Sequence, residues 1–178
     1  MLLEGKKMDV LEAQKTRRSI RKYQKKPVEQ EKVDKILVAA MQGPSAMNER
    51  PWHFIVITDK KVLCEIPKVS AYAQMLPEAP LAIVVCGDRD LEKLENMWVQ
   101  DCCIASTNIV LAAHALGLGA VWTAAYPLPG RAEGIQKILS LPKSIVPLSV
   151  IPIGYPAEEK PVVNRFDKSK VHKDRWTA

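Results

Sequence analysis

The chain has 178 residues, 47% hydrophobic and 26% charged, with 26 Lys and Arg against 20 Asp and Glu for a net charge of +6. This length fits one domain, and this balance excludes a disordered or low-complexity chain. The charge is local: residues 1–26 hold nine basic residues against three acidic ones, and the rest balances at 17 against 17. A nucleic-acid binder spreads basic residues over a broad face with stacking aromatics. Here only Tyr23 accompanies the cluster and aromatics make up 6% of the chain, so a small phosphate-bearing ligand suits it better than nucleic acid.

Residues 8–16 read as a short helix that stops before Arg17. The stretch from Val28 to Met41 reads as a second helix, with Val33, Ile36, Leu37, Ala40 and Met41 at the spacing of one buried face. Gly43-Pro44 ends it, residues 45–51 form a loop, and His53–Thr58 reads as a strand. A short helix near Lys60–Ile66 and an irregular region to Pro80 precede Leu81–Cys86, a compact apolar run typical of an interior strand.

A long helix is predicted over Leu91–Leu116, with a glycine cap at Gly117. Its apolar part carries Ser106, Thr107, Asn108 and His114, polar groups that would be costly in lipid, so it reads as a buried helix and not a membrane span. The opening MLLEGKKMDV is charged by residue 4 and does not resemble a signal peptide; a soluble, cytoplasmic protein is expected. Val121–Ala125 reads as a strand, residues 131–140 as a helix and Val146–Gly154 as a strand. The tail, 155–178, reads as extended, with apolar tips at Val162, Val163, Phe166, Val171 and Trp176. These need a surface, and composition leaves open a partner subunit or a mobile tail. The class is α+β, a small mixed sheet flanked by helices, in a single domain spanning 1–178.

Cys64, Cys86, Cys102 and Cys103 lack the spacing of a metal site and read as small buried apolar residues; no metal is expected. His53 and His114, on a predicted strand and helix, read as structural.

Three segments carry possible chemistry. Arg17-Arg18-Ser19-Ile20-Arg21 places three guanidiniums within five residues, suited to phosphate or to a solvated basic turn. In an extended segment Arg17, Ser19 and Arg21 would share one side. Pro44-Ser45-Ala46-Met47-Asn48-Glu49-Arg50-Pro51-Trp52 is a proline-stiffened loop whose Asn48 amide could read a heterocycle edge, or a rigid turn ahead of a core Trp52. Gly117–Pro127 has small residues that would let a flat ligand approach the backbone, or pack helix against strand.

Taken together, RRSIR, PSAMNERPW with HFIVIT, APLAIVVCGD, DCCIASTNIVLAAHALGLGAVW and IPIGYPAEEKPVVNRFDKSKVH resemble the nitroreductase family of FMN-dependent oxidoreductases, nearly end to end. The resemblance implies an intertwined homodimer with FMN at the subunit interface. It implies that Arg17, Arg18, Ser19 and Arg21 hold the phosphate, ribityl chain and pyrimidine edge. Pro44, Ser45, Ala46 and Asn48 would come from the partner subunit onto the ring. Thr123, Ala124 and Ala125 would pass beneath the ring, with the Ala124 backbone N–H at N5. Arg165 best matches the tail arginine on the phosphate, with Lys168 and Lys170 as alternatives.

NAD(P)H would bind transiently, since no GxGxxG occurs, and hydride would pass through flavin N5 to a nitroaromatic, a quinone or another small oxidised acceptor. No catalytic side chain is implied. A non-catalytic flavin binder, or a dehalogenase or flavin-fragmenting relative, would use the same scaffold. Two departures stand out. The basic contact from a middle helix to the pyrimidine has no match within 64–78, where Arg50 is a substitute, and Ala124-Ala125 replaces a glutamate and glycine. Tyr72, Met75 and Tyr126 are candidates for the substrate pocket.

Overall fold

The computed structural model describes residues 8–176. Its elements are α1 (Val10–Thr16), α2 (Gln30–Met41), β1 (Trp52–Ile57), α3 (Lys60–Val69) and β2 (Leu81–Asp88). They continue with α4 (Met97–Ala115), β3 (Gly119–Ala120), β4 (Thr123–Ala124), α5 (Arg131–Ile138) and β5 (Ile145–Gly154). The sheet runs β1-β2-β5-β3, and β4 also pairs with β5. All these pairings are antiparallel. The expected mixture of directions is limited to one isolated parallel bridge, Ser19 to Ala120, among the described residues.

β2 explains its own sequence. Leu81, Ile83 and Val85 pack on α2 and α4 across one face, while Ala82, Val84 and Cys86 pack against α3 and α5 on the other. A strand covered on both faces has no polar side, hence the continuous apolar run. On α2, Val33, Ile36 and Ala40 are buried, whereas Leu37 is half-buried and Met41 exposed. Two of the five expected face positions thus sit at or beyond the edge of the stripe.

α4 begins at Met97, six residues later than predicted. Residues 91–95, LEKLE, are good helix formers, but tertiary contacts claim them. Asp88 caps a short 3-10 turn at Arg89–Leu91, Lys93 N donates to Glu49 Oε2, and Asn96 adopts φ +64 before the helix starts. At the far end Gly117, at φ +76, lets Leu118 N donate back to Ala113 O at 2.8 Å, the expected left-handed cap.

Of the predicted strand Val121–Ala125 only Thr123–Ala124 (β4) is strand, and β3 precedes it on the same edge of β5. α3 runs on to Val69 through Pro67. Of the cysteines, Cys86 and Cys102 are buried, with burial raising the Cys86 thiol to about 12. Cys64 is exposed and Cys103 half-buried, so the buried reading holds for only part of the set. No helix among the described residues is long and apolar enough to cross a membrane.

Candidate functional site

The 17–24 segment is laid along the sheet edge by backbone contacts. Ile20 N donates to Ala120 O at 3.0 Å and Gln24 N to Tyr155 O at 2.9 Å. Gly119 makes this approach possible, because a Cβ there would sit 2.6 Å from Ile20 Cγ2. The tail follows the same segment on its outer side. Glu158 Oε1 accepts from Arg21 N at 2.5 Å and Lys22 N at 3.2 Å, Lys160 Nζ donates to Ser19 O at 2.8 Å, and Arg18 Nη1 donates to Pro161 O. Glu158 is held below the ordinary carboxylate range by the Arg21 N–H first, then by Lys160.

This route brings Arg165 back to the end of α1. A cavity of about 270 Å³ is lined there by Gln14, Lys15, Arg17, Arg18, Asn164 and Arg165, with Val162 and Val163. Four cations converge, and among the described residues none of the lining is acidic. Burial, then the charges of Arg165 and Arg18, lower the Arg17 pKa. Such an array repels itself unless an anion intervenes. Arg17 is the C-cap of α1, so adjacent Arg17 and Arg18 both reach the cavity and strict alternation fails here. Ser19 and Arg21 lie farther along the segment, outside this lining. Lys168 and Lys170 lie on an exposed 3-10 turn, and Lys170 pairs with Asp167 at 3.7 Å.

α4 anchors this end. The Thr16 hydroxyl donates to Glu12 O at 2.6 Å, so His114 Nε2, at 2.8 Å, is the donor to Thr16. Burial first, then Arg17, lowers the His114 pKa, consistent with the expected structural role. His53 Nε2, on β1, lies 3.5 Å from Asp88 Oδ2 at the end of β2.

Pro44, Ser45, Ala46 and Asn48 sit at the opposite end of α4. Ala46 N donates to Asp101 Oδ1 at 3.0 Å and Arg50 N to Ser45 Oγ at 3.1 Å. Met47, Asn48 and Arg50 all have positive φ. Asp101 and His114 are thirteen residues apart, roughly 20 Å along the helix at about 1.5 Å per residue. Within one chain, then, the amide loop and the arginine cluster are held apart.

β4 carries Thr123, buried with its hydroxyl donating to Val150 O at 2.7 Å, and Ala124, exposed, while Ala125 is buried and its N–H donates to Leu148 O. Met75 packs on Ile20 and Tyr23, beside the arginine segment. Tyr126 is committed to Trp98, with ring centroids 4.9 Å apart, and Tyr72 is exposed with the Arg131 guanidinium 5.0 Å from its ring.

The family profile described as the nitroreductase family matches residues 15–74 and 65–155. A protein of Methanothermobacter thermautotrophicus, provisionally named an NADH dehydrogenase/NAD(P)H nitroreductase, is 57% identical over 98% of this chain and 92% of its own. The chain belongs to the nitroreductase family. A crystal structure from Parabacteroides distasonis, whose family member carries the same provisional name, superposes with a TM-score of 0.90 at 46% identity, covering 94% of this chain and 98% of that one. An FMN-dependent nitroreductase from Clostridium difficile superposes at 0.87 with 37% identity, over 92% and 98% of the two chains.

Sequence reasoning missed Glu49, Asp101, Glu158 and Lys160. The signal for Asp101 was present: a carboxylate opening the most apolar part of a buried helix requires partners. Glu158 and Lys160 gave no local signal, because their roles come from the tail's return past residues 18–22.

Proposed function

We propose that this chain is an FMN-dependent oxidoreductase that takes hydride from NAD(P)H and passes electrons to a small oxidised acceptor such as a nitroaromatic or a quinone. The observation that carries the proposal is the convergence of Lys15, Arg17, Arg18 and Arg165 on one cavity with no acid in its lining among the described residues. A phosphate dianion fits that donor set by charge and by the planar guanidinium fork. FMN, when bound, supplies the redox chemistry, and the protein contributes binding, orientation and electrostatics.

Arg17, Arg18 and Arg165 would hold the phosphate, and Ser19 and Arg21 the ribityl chain and pyrimidine edge. Thr123, Ala124 and Ala125 would pass beneath the ring, with the Ala124 N–H toward N5. Met75, beside this segment, is the pocket candidate best placed to meet an acceptor.

The site would need a second copy. The ribityl chain is much shorter than the separation along α4, so Pro44, Ser45, Ala46 and Asn48 would reach the ring from the partner subunit. A homodimer also accounts for the apolar tips of the tail, which one chain leaves exposed: Phe166 at 75% and Trp176 at 81%, with Val162, Val163 and Val171. Wrapping a partner buries them. The cytoplasm is the proposed location.

Stopped-flow reduction of the purified protein by NADH and NADPH, followed by reoxidation against an acceptor panel, tests the activity. The expected result is a yellow dimer bleached by at least one nucleotide and reoxidised by a nitroaromatic or quinone. A flavin that neither nucleotide bleaches would leave a non-catalytic flavin binder, and a protein unable to take up FMN would overturn the proposal.

A further inference from the structure

Glu49 and Asp101, at the amide-loop end of α4, are 8% and 2% exposed. Each spends one oxygen on a backbone N–H: Glu49 Oε2 accepts from Lys93 N at 2.6 Å, and Asp101 Oδ1 from Ala46 N at 3.0 Å. Among the described residues, Glu49 Oε1 and Asp101 Oδ2 are buried without a partner. Both residues are tied to Ala46, whose N–H donates to Asp101 and whose carbonyl accepts from Glu49 N at 2.9 Å, so the two carboxyls are close neighbours. Two carboxylates so close cannot both ionise cheaply, whereas one proton between them satisfies both remaining oxygens. Nearby the chain turns through Met47, Asn48 and Arg50 at φ +48, +52 and +47, conformations that persist in non-glycine residues only where the surroundings hold them.

We infer that Glu49 and Asp101 share a single proton, and that this bridged pair is the positioning device that fixes Asn48 for the flavin. The inference rests on the flavin site proposed above. Neither carboxyl touches the ligand; the pair acts through the loop it clasps at Ala46 and Lys93.

The sign of its pH dependence follows. Burial foremost, then the Glu49 charge and hydrogen bond, raise the Asp101 pKa against the lowering effect of the Ala46 N–H. A carboxyl raised in the folded state stabilises fully below the ordinary carboxylate range, and that contribution is lost as pH rises through the raised value. The clasp therefore loosens on the alkaline side.

Other charged and titratable groups at this end are Lys93, whose ammonium donates to Met47 O at 3.3 Å, exposed Arg50, the Arg89–Glu92 pair and the Cys102 thiol. The FMN phosphate becomes a dianion as pH rises through about 6, which strengthens its grip on arginine and works in the opposite direction. Variants separate the two effects.

The test has two arms, run from about pH 5 to about pH 9. Carboxyl carbon NMR shifts are followed in the FMN-free wild-type protein, and FMN affinity is followed by fluorescence titration in wild type and variants. One carboxyl of the pair should stay protonated well above the ordinary range. The wild-type FMN dissociation constant should then climb by up to about tenfold per pH unit once that proton is lost. Asp101→Asn supplies an N–H in place of the O–H and still accepts from Ala46, so it should keep the neutral-pH affinity and lose the climb. Glu49→Gln should do the same and serves if the first variant fails to fold. Asp101→Ala should bind weakly at every pH.

Ordinary titration of both carboxyls, or an unchanged climb in a folded amide variant, would overturn the inference. If the wild type binds no FMN at any pH, the flavin site fails, while the carbon shifts still decide whether the proton is shared.

Discussion

The two ends of α4 make opposite electrostatic bargains. At its C-terminal end, Lys15, Arg17, Arg18 and Arg165 face a cavity with no acid in its lining among the described residues. At its N-terminal end, Glu49 and Asp101 are buried together. Among the described residues each keeps one oxygen without a partner, and Glu92 Oε1 and Trp98 Nε1 nearby also lack one. On the proposed function, the first end is completed by the anion of its ligand. The second is completed internally, by one proton, and holds a strained loop. Ligand sites and positioning devices both carry electrostatic cost, and what differs is whether the missing charge is left for a ligand to supply.

The largest expected effect breaks the cationic end. Arg17→Ala with Arg165→Ala should weaken FMN binding by at least about 3 kcal/mol, over a hundredfold, at about 1.5–3 kcal/mol per lost charged hydrogen bond. Fluorescence titration measures it, and unchanged affinity would remove the phosphate from this cavity. The next effect probes the loop. Asn48→Ala should cost roughly 1–2 kcal/mol of FMN affinity, the scale of a neutral hydrogen bond in a buried site, with a modest fall in thermal midpoint because alanine tolerates the φ of +52 less well than asparagine.

A smaller effect concerns the support under Arg17. The His114 pKa is lowered in the folded chain, so the unfolded chain binds the proton more readily. Stability should therefore fall as pH drops through the ordinary histidine range, and His114→Gln should flatten that part of the profile in thermal unfolding. The smallest is Glu158→Gln. Its lowered carboxylate stabilises above the ordinary carboxylate range and is lost as pH falls, worth on the order of 1 kcal/mol for a half-buried group at the surface.

The two ends also differ in how much of them the sequence reveals. Arg17 and Arg18 are legible because unopposed charge concentrates in a short stretch, and Arg165 because of its tail motif. β2 is legible because burial on both faces leaves no polar residue, and Gly117 because a left-handed cap needs it. The start of α4 was not legible. LEKLE has helical propensity, and only the tertiary bond from Lys93 N to Glu49 shows why it is not helical. Likewise the meaning of Glu49 depends on a residue fifty-two positions away, and no local pattern encodes that pairing. The edge positions of α2 were overread because the spacing of apolar residues does not tell how wide the covered stripe is.

The most direct measurement of the central claim uses a mixed dimer, one subunit carrying Arg17→Ala and the other Asn48→Ala. If each flavin draws its phosphate grip from one subunit and its amide loop from the other, the mixed dimer contains one intact site and one doubly broken site. Titration should then show tight FMN binding, close to wild type, at half stoichiometry. Two singly broken sites, each weakened to its own degree and neither of wild-type affinity, would place both segments on the same chain and contradict the shared site.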